Sequence, residues 1–194
     1  MDFLLVGLGN PGSKYVRTRH NIGFMAIDHL VQQSSDRVSP HNCRRSQAQC
    51  WLWDVSTDMQ CLLAQPQTYM NLSGRAVKKL CAKNALPPDR VVVIHDELDL
   101  AQGQVRVKFG GGLAGHNGLR SIHAQLGTRD FYRIRMGIGR PEPGTDVTRY
   151  VLSSFAPGER EAVHTALDRA AHGIHLLCTK GMQAAMNAIH AQPN

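Results

Sequence analysis

The side chains best suited to chemistry come directly after predicted strands. They are Asn10 after the first strand, Asn71 after the third, Asp96 after the apolar run 91–95, and His116 and Asn117 after the alternating run 104–109. His20 closes the loop that Asn10 begins. Because ligands of α/β sheets collect beyond the carboxyl ends of strands, we expect one shared pocket if those ends are neighbours.

A histidine, an aspartate and several amides in one pocket can activate a water molecule. A carboxylate on one ring nitrogen of His20 would set its tautomer, so that the other nitrogen takes a proton from water. No serine lies in a G-x-S-x-G elbow and no cysteine lies near these motifs, which argues against a serine or thiol nucleophile. Two histidines and an aspartate could also bind a metal ion, although no H-E-x-x-H pattern defines a site.

The glycines of residues 3–24 allow a second interpretation. Gly7, Gly9 and Gly12 fit G-x-G-x-x-G after a strand, which is the dinucleotide-binding fingerprint. That fingerprint needs a helix at its third glycine and an acidic residue ending a second strand about 20 positions later. Residues 13–21 have no helical apolar stripe, so the context argues against a dinucleotide.

Hydrophobic periodicity predicts a single mixed α/β domain over residues 1–194. The predicted strands cover 3–6, 48–55, 60–65, 91–95, 104–109 and 131–139. The predicted helices follow His20 and Asn71, cover 119–126, and fill the C-terminal part, where an apolar stripe runs from 163 to 178. Residues 36–47 and 141–146 are predicted loops. Asn71 or Ser73 could cap the second helix, and His95, inside its strand, is predicted to be structural.

Charge and cysteine usage limit the class of protein. The formal net charge is +7, and residues 101–150 carry eight Lys/Arg against three acids, which favours a polyanionic partner such as nucleic acid. The five cysteines are widely spaced without a C-x-x-C pair, so we expect reduced cysteines in a cytoplasmic protein. No apolar run approaches the roughly 18 residues of a membrane span, and no export signal is recognisable.

Four ordered motifs resemble the bacterial peptidyl-tRNA hydrolase family. They are GLGNPGSKYVRTRHNIGF, PQTYMNLSG, HDELDL and GGGLAGHNGLRSI, followed by RIRMGIGRP, and the resemblance covers about residues 3–190. It implies cleavage of the ester between a peptide and the 3′ ribose of tRNA, which recycles tRNA from stalled translation. It also implies a monomeric, cofactor-independent cytoplasmic enzyme with a mixed, mostly parallel and twisted β-sheet flanked by helices on both faces.

The resemblance assigns roles to individual residues. His20 would be the catalytic base and Asp96 its partner. The peptide and the ester would be held by Asn10, Tyr15, Met70, Asn71, His116 and Asn117. Lys108 and Arg135 would bind phosphates of the tRNA acceptor stem and 3′ end, and no metal is implied.

The chain departs from the family pattern outside the proposed chemistry. The loop after Arg140-Pro141 lacks the lysine that relatives often carry, so Arg140 or Arg149 could replace it in contacting tRNA. A non-catalytic RNA-binding protein on the same fold is the second hypothesis. Retention of His20, Asp96 and the asparagines favours the enzyme.

Overall fold

The computed structural model describes residues 1–190, so the last four residues of the predicted domain lie outside it. The strands are β1 Phe3–Gly7, β2 Val38–His41, β3 Ala48–Ser56, β4 Met59–Pro66, β5 Val91–Glu97, β6 Val105–Phe109 and β7 Tyr132–Gly137. The helices are α1 Ile22–Gln33, α2 Ser73–Lys83, α3 Asn117–Leu126, α4 Val147–Val151, α5 Arg160–Lys180 and α6 Met182–His190. None of these helices is long and apolar enough to cross a membrane.

All seven strands form one mixed sheet in the order β2-β3-β4-β1-β5-β7-β6. The inner strands β4, β1, β5 and β7 are parallel neighbours, whereas β2–β3, β3–β4 and β6–β7 are antiparallel pairs. The predicted mixed sheet is therefore confirmed, with its parallel part at the centre. The expectation that it is mostly parallel is wrong, because three of the six strand pairs in residues 1–190 are antiparallel. The carboxyl ends of β1, β4, β5 and β7 consequently lie at the same edge.

Helices cover both faces of the sheet, as predicted. Alternate residues of a strand point to opposite faces, and β1 uses both: Phe3 and Leu5 pack with α1, α5 and α6, whereas Leu4 and Val6 pack with α2 and α3. A strand buried on two faces needs an uninterrupted apolar run, which explains the sequence of β1 and of residues 91–94 in β5.

The early glycines allow α1 to pack closely on the sheet. A Cβ atom on Gly7 would lie 2.2 Å from the carbonyl oxygen of Gly23, and one on Gly23 would lie 2.4 Å from the carbonyl oxygen of Ile94. Gly12, the third glycine of the fingerprint, precedes a short 3₁₀ turn at Ser13–Tyr15 instead of a helix on the strand. The dinucleotide interpretation is therefore rejected on geometry.

The structure corrects the sequence-based prediction at one strand, which was missed, and after residue 146, where the stretch predicted as helix is divided into α4, α5 and α6. Residues 38–41, predicted as loop, form β2 at the edge of the sheet, where Pro40 is tolerated because an edge strand leaves one side of its backbone unpaired. Helix α4 follows the predicted loop 141–146, and Asp146 caps it by accepting a hydrogen bond from the Thr148 amide at 2.7 Å.

Candidate active site

A cavity of about 610 Å³ lies at the carboxyl ends of β1, β4 and β5. Seven of the predicted site residues line it: Asn10, His20, Met70, Asn71, Asp96, His116 and Asn117. The structure therefore brings together side chains from four separate segments of the chain. Tyr15 lies outside this cavity in the Ser13–Tyr15 turn, with the Lys14 amino group 4.7 Å from its ring centroid.

His20 and Asp96 form the central pair of the cavity. The Nδ1 atom of His20 is 2.9 Å from each carboxylate oxygen of Asp96. The Asp96 side chain is 3 % exposed and that of His20 12 % exposed. Asp96 lies within β5, which continues two residues beyond the predicted strand 91–95, and not in a loop after it. A rigid strand therefore holds the carboxylate.

His116 holds Asp96 from the other side. Its Nε2 atom is 2.9 Å from Asp96 Oδ1, and its Nδ1 atom accepts hydrogen bonds from the amides of Gly118 and Leu119 at the start of α3. An accepting Nδ1 carries no proton, so the proton is on Nε2 and is donated to Asp96. Both nitrogens are thus engaged. His116 positions the carboxylate and has no nitrogen free to act as a base.

The two histidines keep Asp96 ionised. Burial by itself raises the pKa of this carboxyl, but His116 and His20 more than offset it, and the pKa of Asp96 lies well below its usual range. An ionised carboxylate only accepts hydrogen bonds, so Nδ1 of His20 must carry the proton that points at Asp96. Nε2 of His20 is left with a free lone pair on the cavity side, as a general base requires.

His95 supports this arrangement from within the sheet. It is 1 % exposed, and burial, followed by the proximity of His116, lowers its pKa to about 3. Its Nδ1–H donates to the carbonyl oxygen of Asp96 at 2.7 Å, and its ring meets that of His116 edge to face, 5.0 Å between centroids. A neutral histidine therefore packs behind the His20–Asp96 pair.

Asn10 presents its amide nitrogen to the cavity. The side-chain oxygen of Asn10 accepts a hydrogen bond from the amide of Met70 at 2.8 Å. The Asn10 backbone is tied to Asn21, whose side chain accepts from the Asn10 amide and donates to its carbonyl oxygen, both at 2.9 Å. Since its oxygen is occupied, Asn10 can offer two N–H donors to a ligand. Sequence reasoning did not recognise the positioning role of Asn21.

Asn71 and Asn117 are the two exposed amides of the cavity. Asn71 lies in the 3₁₀ turn Met70–Leu72, and neither it nor Ser73 caps α2, because the residue at the N-cap is Leu72 and its side chain makes no capping bond. Asn117 is the first residue of α3. Neither side chain has a hydrogen-bond partner within residues 1–190, so both are available to a ligand.

The route of the chain to His116 differs from the predicted one. Strand β6 runs antiparallel to β7, with Phe109 opposite Tyr132, so its carboxyl end lies at the edge away from the cavity. The glycine-rich segment 110–116 returns to the cavity, and the buried Arg133 holds it by donating to the carbonyl oxygens of Gly111 and Gly112. The prediction placed the right residues in the pocket for a wrong topological reason.

Helix α4 forms a wall of the cavity that sequence reasoning missed. Val147, Thr148 and Val151 of α4 line it, together with Leu152 directly after the helix. The capping aspartate before a Val-x-x-x-Val repeat is a local signal that could have located this helix. An apolar wall beside polar groups suits a ligand with both apolar and polar parts.

Arg19 joins α4 to the loop that contains His20. Its guanidinium forms a double hydrogen bond with Glu159 at 2.8 Å and donates to the carbonyl oxygen of Ser154 at 2.6 Å. It also lies over the rings of Tyr150 and Phe155. One planar group donates from Nη2 to Glu159 and from Nη1 to Ser154 while it stacks on two rings, and lysine cannot reproduce this combination next to His20.

A smaller cavity of about 260 Å³ adjoins the first and contains the predicted phosphate-binding residues. Lys108, Arg133 and Arg135 line it, together with His95 and Glu97, which also line the larger cavity. Glu97 accepts a hydrogen bond from Arg135 Nε at 3.0 Å. Burial, then Arg135 and Arg129, lower the pKa of Arg133 from its ordinary value. These cations therefore lie beside the cavity that contains His20 and Asp96.

His20, Asp96 and His116 are also the residues best placed to hold a metal ion. Their potential ligand atoms lie within 4.8 Å of one another. However, Nδ1 of His116 accepts backbone amides, so a metal at its Nε2 would require a ring without either proton. The hydrogen bonds fit a proton-transfer site better than a metal centre.

A buried histidine–carboxylate pair, amide donors and an adjoining cationic cavity on a mixed α/β sheet define a hydrolase with an anionic substrate. Comparison with known proteins gives the family: residues 4–194 match the family model for peptidyl-tRNA hydrolase. The peptidyl-tRNA hydrolase of Nocardia farcinica is 48% identical over 188 residues, covering 96% of this chain and 95% of that protein. That of Mycobacterium tuberculosis H37Rv is 46% identical, covering 97% of both chains.

Solved structures agree with this assignment. The crystal structure of peptidyl-tRNA hydrolase from Acinetobacter baumannii superimposes with a TM-score of 0.90 at 35% identity, covering 97% of this chain and 94% of that one. The chain belongs to the peptidyl-tRNA hydrolase family. Membership gives it the activity of that family, the hydrolysis of peptidyl-tRNA.

Proposed function

We propose that this chain cleaves the ester between the peptide and the 3′ ribose of tRNA by general-base catalysis from His20. The free Nε2 of His20 takes a proton from a water molecule, whose oxygen attacks the ester carbonyl. Asp96, itself held by His116, accepts the Nδ1–H bond and stabilises the positive ring that forms. Such a base contributes roughly 10²–10⁴-fold to a rate.

The asparagines stabilise the negative charge that develops on the carbonyl oxygen. Asn10 offers N–H donors because the Met70 amide occupies its oxygen. Asn71 and Asn117 add exposed amides on the same cavity. When the tetrahedral intermediate collapses, the bond to the ribose 3′ oxygen breaks and His20 returns its proton to that oxygen. The products are the peptide carboxylate and tRNA with a free 3′ hydroxyl.

The observation that carries this mechanism is the hydrogen-bond chain from His116 through Asp96 to His20. It leaves one ring nitrogen of His20 unoccupied, and that nitrogen is the base. Cofactor-free catalysis is also part of the proposal, because a metal ion bound here would have to displace the protons of the hydrogen bonds among His116, Asp96 and His20.

The function is tested with an N-acetylated aminoacyl-tRNA. We expect the purified chain to release N-acetyl amino acid and tRNA, and the rate to be unchanged after exhaustive EDTA treatment. Quantifying both products by chromatography separates ester hydrolysis from RNA cleavage. A rate abolished by EDTA and restored by one metal ion would contradict the mechanism without metal.

Lys108 and Arg135 are proposed to bind tRNA phosphates next to the ester. The Lys108 side chain lies over Gly111, where a Cβ atom would come within 2.6 Å of its amino nitrogen. Lys108 has no carboxylate within 4.0 Å among the described residues, and Arg135 pairs with Glu97. An unpaired ammonium beside the catalytic cavity suits sequence-independent phosphate binding, as an enzyme that accepts many tRNAs requires.

We expect Lys108→Ala to weaken tRNA binding and to lower the slope of log Kd against log salt by about 0.9, one phosphate contact. Hydrolysis of a minimal ester, an N-acetylaminoacyl group on adenosine, should be unchanged. Binding and hydrolysis are measured from 0.05 to 0.5 M KCl, with Lys180→Ala at the end of α5 as the control. An equal loss on the minimal ester would place Lys108 in the chemistry instead.

The enzyme is proposed to act in the cytoplasm as a monomeric single domain. All five cysteines are buried and unpaired, as expected in a reducing compartment. Sedimentation equilibrium tests the oligomeric state, and a mass of twice 21.4 kDa would contradict it.

A further inference from the structure

A second group of cations lies away from Lys108 and Arg135. The basic α2 surface consists of exposed arginines and lysines on α2 and on the 3₁₀ turn Arg44–Ser46, which packs beside this helix: Arg44, Arg45, Arg75, Lys78, Lys79 and Lys83. The Lys79 amino group is 3.5 Å from the Arg45 carbonyl oxygen, and that of Lys83 is 3.3 Å from the Asn42 carbonyl oxygen. These contacts join the turn and the helix into one surface.

The charges of this surface are not compensated within the protein. No carboxylate lies within 4.0 Å of any of the six cations in residues 1–190, whereas other exposed arginines such as Arg37 and Arg140 do have one. Arg75 occupies the first turn of α2, which has no acidic residue and where the helix dipole disfavours a cation. Six mutually repelling cations therefore weaken the fold slightly, and a polyanion would relieve that repulsion.

The basic α2 surface adjoins the catalytic cavity. Asn71 lines the cavity and α2 begins two residues later. Measured from Asn71 along the helix axis, Arg75 is therefore about 6 Å away and Lys83 about 18 Å away. Helix α2 packs on β1 and β4, whereas Lys108 and Arg135 belong to β6 and β7. The two groups of cations thus lie on opposite sides of the cavity.

We infer that the basic α2 surface binds phosphates of the tRNA acceptor arm on the side opposite Lys108 and Arg135. The inference rests on the proposed function, because the ester in the cavity brings the 3′ strand of the acceptor arm next to Asn71. Arg75, Lys79 and Lys83 recur every four residues on one helical face, about 6 Å apart, and form a row suited to a charged backbone. The substrate is then held from two sides.

The test measures how binding depends on salt for two RNAs, a deacylated acceptor-arm hairpin and a single-stranded 3′ end, and compares them. Each lost phosphate contact lowers the slope of log Kd against log salt by about 0.7 to 0.9. For the double variant Lys79→Gln/Lys83→Gln we therefore expect the slope to fall by about 1.4 to 1.8. At 0.15 M KCl this corresponds to a Kd roughly 15- to 30-fold higher. The rate on N-acetylaminoacyl-adenosine should not change, because the site of hydrolysis is intact.

Two further variants keep the result interpretable. Arg169→Gln/Lys180→Gln removes the same charge from α5 on the other face of the sheet and should leave the slope unchanged. Arg44→Gln/Arg45→Gln removes two cations from the turn without altering α2, and should lower the slope as the α2 variant does. The inference would be overturned if the slope stayed unchanged in both double variants of the basic α2 surface, or if it fell equally in the α5 control.

Failure of this inference is distinguishable from failure of the mechanism. Binding of the deacylated hairpin does not involve the ester, so the salt slope is measured without catalysis. If N-acetylaminoacyl-tRNA were hydrolysed while the slope stayed constant, only the α2 contact would be wrong.

Discussion

Replacing His20 with alanine is expected to lower kcat for hydrolysis of N-acetylaminoacyl-tRNA by roughly 10²–10⁴-fold while leaving tRNA affinity nearly unchanged. Within residues 1–190, Nε2 of His20 has no hydrogen-bond partner, whereas both ring nitrogens of His116 are engaged. His20 lies beside the cationic cavity and not within it. Single-turnover kinetics with saturating enzyme, together with Kd for deacylated tRNA, separate the two effects.

The chain offers a matched control for this substitution. His164 also lies against an aspartate, with its Nδ1 atom 3.2 Å from Asp168 Oδ2, but both residues are on α5 and neither lines the cavity of the asparagines. His164→Ala should keep the wild-type rate. If His20→Ala hydrolysed the ester as fast as His164→Ala does, the general-base mechanism would be abandoned.

Replacing Asp96 with asparagine should also lower kcat by roughly 10²–10⁴-fold. The carboxylate accepts hydrogen bonds from both His20 and His116. An asparagine has one acceptor oxygen and a donor NH₂ group, so one histidine would face a donor. The tautomer with Nδ1–H on His20 would lose its support, and the positive charge formed during proton transfer would no longer be balanced.

The measurement for Asp96→Asn is the rate on N-acetylaminoacyl-tRNA, with thermal unfolding to show that the fold persists. Asp168→Asn is the control, since Asp168 likewise lies between two histidines: it hydrogen-bonds His29 at 2.8 Å, and Nδ1 of His164 lies 3.2 Å from its other oxygen. Wild-type activity in the control combined with a large loss in Asp96→Asn supports the proposed role. A loss of less than tenfold in Asp96→Asn would show that its charge is dispensable.

Local patterns were sufficient for the central sheet and most helices. The apolar run 91–94 predicted a buried strand, because a strand covered on both faces cannot contain exposed polar residues. The same reasoning failed for β2, where the side chains of residues 38–41 are only partly buried or exposed and the pairing with β3 decides the structure. It predicted helix from residue 147 onward without the break after α4, because a helix of five residues is too short for a periodic signal that would show its end.

The basic α2 surface shows a limit of charge counting along the chain. Residues 51–100 hold five Lys/Arg and six Asp/Glu, a net charge of −1. The fold buries Asp96 and Glu97 at the end of β5 and leaves the cations of α2 exposed. Only the tertiary structure separates charges that are neighbours in sequence.

The sequence by itself determined which residue types are present for chemistry: one histidine after a glycine-rich loop, one aspartate at the end of a buried strand, and asparagines after other strands. Only the tertiary structure decided how these side chains are used. The protonation of His116 follows from amides at the start of α3, and the orientation of Asn10 from the amide of Met70, 60 residues away. Hydrogen bonds have direction, and their partners come from distant segments, so the sequence pattern alone cannot assign them.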